Sequence, residues 1–154
     1  MDSTCSVIQY NHSNSILFCG LQKEVIKMTE KNEVYKCNVC GNVVEVLTAA
    51  AGELVCCGKP MELMKEKAHE EGEEKHLPVV EKEGNKIVVK VGSVPHPMTE
   101  EHYIEWIEIQ MLDVGRIGKK YLKPGDAPEI EFHGRGENFK IRAYCNLHGL
   151  WESK

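Results

Sequence analysis

Four cysteines crowd into one short stretch of this chain, and no other feature limits its folding as strongly. Cys37, Cys40, Cys56 and Cys57 fall within 21 residues, inside a unit running from Val34 to Met64. About thirty residues cannot bury enough apolar surface to fold unaided, so the unit needs a staple. Cys37-x-x-Cys40 puts two thiolates on one tight turn, and the adjacent pair Cys56-Cys57, after fifteen intervening residues, supplies two more corners of a tetrahedron. Four thiolates in this arrangement suit zinc or a single iron equally well. Disulfides or buried free thiols are the competing reading. Seven cysteines cannot all pair, however, and clustered cysteines in a reducing compartment more often bind metal.

The surroundings of that cluster fix the class. Of 154 residues, 42% are hydrophobic and 28% charged, the balance of a globular protein. A net charge of −5 argues against a nucleic-acid partner, which requires a basic surface. The longest uncharged run, Ser3 to Gln22, is too rich in Ser, Asn, Gln and His to cross a membrane. It also lacks the basic start and apolar middle of a secretory signal, and Phe18 occupies the place before Cys19 where a lipoprotein box needs a small residue. The expectation is a cytoplasmic protein without a membrane partner. Residues 1–27 read as a loosely held extension with room for a short helix from Leu21 to Ile26, and Met28-Thr29-Glu30-Lys31 reads like a fresh start after a misassigned upstream codon. Residues 65–75, with Lys65, Lys67 and Lys75 facing five glutamates, read as a charged linker.

Beyond His76 the pattern turns to period two. Ile87–Val91, Trp106–Met111, Glu129–Phe132 and Phe139–Cys145 alternate β-branched or aromatic residues with polar ones, and turn signals such as Lys123-Pro124-Gly125-Asp126 separate them. Short strands at this spacing predict a small antiparallel sandwich. His76 stands at its entrance, His96 and His102 flank one loop, and His148 follows the last clear strand, where Cys145-Asn146-Leu147-His148 turns two donor types toward each other. Imidazoles with one thiolate select a transition metal over calcium or magnesium. His12, His69 and His133 are left as ordinary surface or hydrogen-bonding residues.

Glu74-Lys75-His76-Leu77-Pro78-Val79, His96-Pro97-Met98, Glu101-His102-Tyr103-Ile104 and Tyr144-Cys145-Asn146-Leu147-His148-Gly149 resemble the motifs of superoxide reductase. Cys37-x-x-Cys40 and the adjacent Cys56-Cys57 are similar to those of its two-iron form, desulfoferrodoxin, and the likeness runs from about Met28 to Lys154. The resemblance implies an all-β chain: a small desulforedoxin-like, metal-stapled domain over residues 28–64, then an immunoglobulin-like seven-stranded antiparallel β-sandwich over 76–154. It implies two irons per chain. Cys37, Cys40, Cys56 and Cys57 would hold the first, and His76, His96, His102 and His148, with Cys145 as axial thiolate, the second. It also implies one-electron reduction of superoxide to hydrogen peroxide without dioxygen release, with a rubredoxin or similar small redox protein as electron donor and a homodimer as the assembly. Lys75 would attract the anionic substrate toward a chain that is negative overall, and Glu74 would close the sixth position in the resting state. A cupredoxin-like copper carrier with Met98 as weak ligand, or a zinc-ribbon interaction module, are the alternatives; the first leaves His76 and His102 without purpose, the second explains only the four cysteines.

Overall fold

The structure is a computed structural model, and it describes residues 27–134 and 137–153. The helix expected at Leu21 to Ile26, and residues 1–26 generally, lie outside that range. The described residues divide into two compact units, the first ending at Met64 and the second beginning at Lys65. Among the described residues, strands account for nearly all regular structure, and the one helix has four residues.

In the first unit β1 (Val34–Lys36) is the centre of a three-stranded antiparallel sheet, flanked by β2 (Val43–Glu45) and β5 (Glu62–Leu63). Its core is small: Tyr35, Cys37, Val46 and Met61 are buried, with Leu54, Cys56 and Leu63 packed against them. A second hairpin joins β3 (Val55–Cys56) to β4 (Lys59–Pro60). Cys56 pairs with Lys59, leaving Cys57 and Gly58 as a two-residue loop. Both carry positive φ, 52° and 71°, the requirement of a type I′ turn, and Gly58 meets it without steric cost. The adjacency of the two cysteines thus has a local reason: one ends a strand and the other forms the turn.

The second unit contains seven strands among the described residues. β6 (Pro78–Glu83), β7 (Lys86–Val91) and β10 (Glu129–His133) form one antiparallel sheet in the order β10-β7-β6. β8 (Ile104–Met111), β9 (Arg116–Tyr121), β11 (Phe139–Cys145) and β12 (Gly149–Glu152) form the other, in the order β12-β11-β8-β9. Alternation puts Ile87, Val89 and Val91 of the first sheet against Ile107, Ile109, Ile141 and Ala143 of the second, all essentially inaccessible. At 25 cal/mol per Å² such side chains contribute about 1.5–3 kcal/mol each, which is what holds the sandwich shut.

One irregularity bears on the site. Tyr144 pairs with Trp106, but Cys145 pairs with Ile104, so Glu105 is an extra residue on β8. The bulge reverses the strand's parity. Ile104 therefore joins the core on the side that also carries Ile107, next to buried Cys145.

Residues 65–75 differ from the free linker expected. Lys67 bridges Trp151 in parallel: its N–H donates to Leu150 O at 3.0 Å and its carbonyl accepts from Glu152 N–H at 3.0 Å. Glu66 meets Lys140 at 3.1 Å and Arg142 at 3.5 Å. Charge alone marks a solvated segment in sequence, whereas here complementary charges across the sheet dock it. Glu73–His76 form the short helix α1.

Candidate metal centres

The first centre lies in the small unit. The Sγ atoms of Cys37, Cys40, Cys56 and Cys57 all lie within 4.8 Å of one another, with Cys37 buried and Cys40 and Cys57 exposed. Cys40 and Cys56 sulfurs are 3.6 Å apart, and those of Cys56 and Cys57 4.0 Å. Two sulfurs held 2.3 Å from one tetrahedral ion are separated by about 3.8 Å, so the four residues fit such an ion. Backbone N–H groups of Cys40 and Val39 bring the Cys37 thiol down to about 6, while the sulfurs of Cys40 and Cys56 push Cys57 up to about 12. Four thiols packed this closely cannot all ionise by themselves, and a cation removes that conflict.

The second centre lies at one end of the sandwich, and three elements deliver its donors. Helix α1 ends on His76, the loop from β7 to β8 carries His96 and His102, and the end of β11 and the turn after it carry Cys145 and His148. One ligand atom from each of the five lies within 4.8 Å of the others. The four rings form a closed array: neighbouring centroids are 4.7 Å (His76–His96), 4.5 Å (His96–His102), 4.8 Å (His102–His148) and 4.6 Å (His148–His76), whereas the His76–His102 diagonal is 6.0 Å. Cys145 is fully buried, with its sulfur 3.6 Å from His148 Nδ1.

Hydrogen bonds settle which nitrogens face inward. His76 Nδ1–H donates to Gly72 O at 2.7 Å, and His96 Nδ1–H donates to Pro97 O. Each bond places the proton on the outer nitrogen and leaves Nε2 with its lone pair, the arrangement in which a metal-binding histidine is fixed by a carbonyl behind it. His96 Nε2 and His102 Nε2 are buried without a hydrogen-bond partner. Such orphaned acceptors are costly unless something else satisfies them. His148 turns Nδ1 inward, 2.8 Å from His76 Nε2, close to the roughly 3.0 Å separating two nitrogens bound at right angles to one ion. The donor set therefore fits a transition metal.

Burial also disfavours the protonated form of His76, His96 and His102. It drives His96 down to about 4 against the opposing bond to Pro97, and lowers His76 and His102 as well, with charge from neighbouring imidazoles adding to the effect. The positive charge of Lys75 lowers His102 further, and the negative charge of Glu74 acts the other way on His76. Both side chains are exposed, and their backbone is firmly held: Glu74 O accepts from Val94 N–H at 2.9 Å and Ser93 Oγ–H at 3.2 Å. The Glu74 carboxylate is not among the five convergent donors. The sulfur of Met98, the residue a copper site would use, accepts the Ile104 N–H at 3.4 Å. His69 and His133 are exposed and lie beside Glu73 and Glu131. Sequence reasoning passed over two supports: Gly72, four residues before His76 and so within reach of its ring, and Trp151, stacked on His76 at 4.8 Å.

The comparisons with known proteins agree with this geometry. The desulfoferrodoxin family profile matches residues 68–154, and that of the desulfoferrodoxin N-terminal domain matches residues 29–64. A desulfoferrodoxin homolog of Archaeoglobus fulgidus is 60% identical over 126 residues, 82% of this chain and 99% of that protein. A desulfoferrodoxin of Syntrophotalea carbinolica is 55% identical over 127 residues, again 82% of this chain and 99% of its own length. Among solved structures, the superoxide reductase from Treponema pallidum aligns with a TM-score of 0.59 and 29% identity, covering 79% of this chain and 96% of its own. With both domains matched in order over an all-β, two-centre chain, the protein belongs to the desulfoferrodoxin family.

Proposed function

We infer that the chain is a superoxide reductase. The observation that carries this reading is the convergence of four imidazoles and one thiol at the end of the sandwich, all within 4.8 Å. His76, His96 and His102 would hold the catalytic iron through Nε2, His148 through Nδ1 and Cys145 through sulfur. Cys37, Cys40, Cys56 and Cys57 would hold the other. The chemistry that iron supplies when bound at the first of these sets is one-electron reduction of superoxide, which two protons complete to hydrogen peroxide.

The chain's own residues do the rest. With iron bound, the imidazoles would be neutral ligands and Cys145 the one anionic, electron-rich donor of the five, and its burial keeps the sulfur away from solvent oxidants. Lys75, exposed beside His76 and acting electrostatically on His102, attracts the substrate anion to a chain whose net charge is −5. It also orders the water that gives up protons. Glu74 would close the open side of the site in the resting state. Residues 28–64 act as the four-cysteine domain, 65–75 as a connector and 76–154 as the catalytic domain. Electrons come from a rubredoxin or similar small redox protein, and the chain works as a cytoplasmic homodimer.

The test is to titrate superoxide into the reduced, iron-loaded protein while recording visible absorption. A sulfur-to-ferric band that grows in with peroxide and without dioxygen is the expected result. A spectrum that stays flat would return the sandwich to the copper or zinc readings.

A further inference from the structure

One residue of the site region binds the two metal-ligand loops together without being a ligand itself. Asn146 follows Cys145 and lies half-buried in the turn that leads to His148. Its backbone N–H donates to Tyr103 O at 3.2 Å, and its side-chain Oδ1 accepts the Tyr103 N–H at 3.0 Å. Its Nδ2 donates to Glu101 O at 2.9 Å. These three bonds grip the residues on either side of His102, from a position 43 to 45 residues further along the chain. The Cys145 thiol also reaches Oδ1, at 3.9 Å.

We propose that Asn146 is the positioning residue that registers His102 against Cys145 and His148, and so sets the metal affinity of the second centre. Within the 97–103 loop, the bonds to His102 come from Thr99, which accepts its N–H at 3.2 Å and donates to its carbonyl at 3.0 Å through the main chain. Those bonds shape the loop but tie it to nothing beyond itself. Asn146 supplies the link to the strand carrying the thiolate. A primary amide is suited to this task because it offers an acceptor and a donor on one planar group, spaced to meet an N–H and a C=O of neighbouring residues. Removing the amide keeps the main-chain bond to Tyr103 O and the pairing of Cys145 with Ile104 but releases the Tyr103 N–H and the Glu101 carbonyl, which lets His102 shift relative to Cys145, and supports of this kind typically carry 10- to 100-fold in metal affinity.

The proposal rests on the reading of the five donors as one metal centre. The experiment uses the full chain carrying Cys37→Ser, Cys40→Ser, Cys56→Ser and Cys57→Ser, so that no thiolate of the first centre contributes, and titrates it with cobalt(II) chloride while following sulfur-to-metal absorption. Asn146→Ala should weaken cobalt binding at least tenfold and move the band. Asn146→Asp, which keeps an acceptor for Tyr103 but loses the donor to Glu101, should lie between. Met111→Ala, a cavity at the far end of β8, serves as the control for lost stability alone and should leave affinity and band unchanged. If Asn146→Ala fails to fold, Asn146→Asp decides. Affinity within threefold of the parent and an unmoved band in the folded variant would overturn the proposal. A parent protein showing no sulfur-to-metal band would overturn the functional reading first, and the proposal with it.

Discussion

Acidifying the metal-free protein should expose the cost of keeping imidazoles buried. His96 is only 4% accessible, and burial holds its pKa at about 4, against about 6.5 for the unfolded chain. Below pH 6.5 the unfolded state therefore binds a proton that the native state refuses, so stability falls as pH falls and is recovered as pH rises. Integrating over these two values gives a loss of about 2 kcal/mol between pH 7.5 and pH 5 from His96 alone. His76 and His102 are lowered too and add loss of the same sign. The carboxylates contribute in a different window. Glu66, Glu108 and Glu131 have lowered values, so their stabilisation is present above the ordinary carboxylate range near 4.3 and is lost only as pH falls below it.

The assay is urea unfolding of chelator-treated protein at a series of pH values, read by tryptophan fluorescence. The chain has two tryptophans, Trp106 and Trp151, and both are buried in the second unit. His96→Asn is the variant of choice because its side-chain amide can replace Nδ1–H in the bond to Pro97 O. Its stability curve should be shallower than that of the parent by about 2 kcal/mol across pH 7.5 to 5. Parallel curves would refute the argument, since they would mean that His96 protonates equally easily in both states.

Three further outcomes follow from other parts of the structure. Lys75→Ala should slow the bimolecular reaction with superoxide and flatten its dependence on ionic strength, as stopped-flow at several salt concentrations would show; an unchanged rate removes Lys75 from the mechanism. Arg142→Met should cost about 3 kcal/mol in urea unfolding, because it strips a fully buried Glu108 of bonds at 2.6 and 3.0 Å and leaves it Lys119 and Gln110; a loss under about 1 kcal/mol would show the pair to be dispensable. Gly92→Ala should destabilise the second unit by about 1–3 kcal/mol, measured the same way. Its φ is +86°, and a Cβ would sit 2.4 Å from Val94 O and 2.7 Å from Lys75 O, so wild-type stability in that variant would contradict the close approach.

The features legible in the sequence are those encoded over short distances. Cys37-x-x-Cys40 and Cys145-x-x-His148 declare themselves because a turn of fixed size must bring both ends to one point. The alternation in β7, β8 and β11 is plain because these are the inner strands of their sheets, with one face wholly committed to the core. Three of the four outermost strands, β6, β9 and β12, went unread. An edge is half-solvated and carries charge to discourage further pairing, as in Arg116-Ile117-Gly118-Lys119-Lys120-Tyr121, so its pattern is weak. The same logic hid the docking of residues 66–67, where the Glu66 carboxylate, which looks solvated, finds partners 74 and 76 residues away.

The outer face of the larger sheet makes the point most sharply. Glu108 and Arg142 alternate with core residues as solvent-facing charges should, yet both are buried, 34 residues apart in sequence and directly paired across β8 and β11. Lys119 completes the row from β9, 2.6 Å from Glu108 and 4.3 Å above the Trp106 ring. Because the pairing follows from register, and register is fixed at the far end by the bulge that delivers Cys145, the charges and the metal donors depend on the same alignment of β8 with β11. A one-residue slip would expose Ile107 and Ile109, bury Glu108 without Arg142, and carry Cys145 and His148 away from His102. The unusual cost of placing ions inside a small sheet thus secures the one strand register that assembles the site.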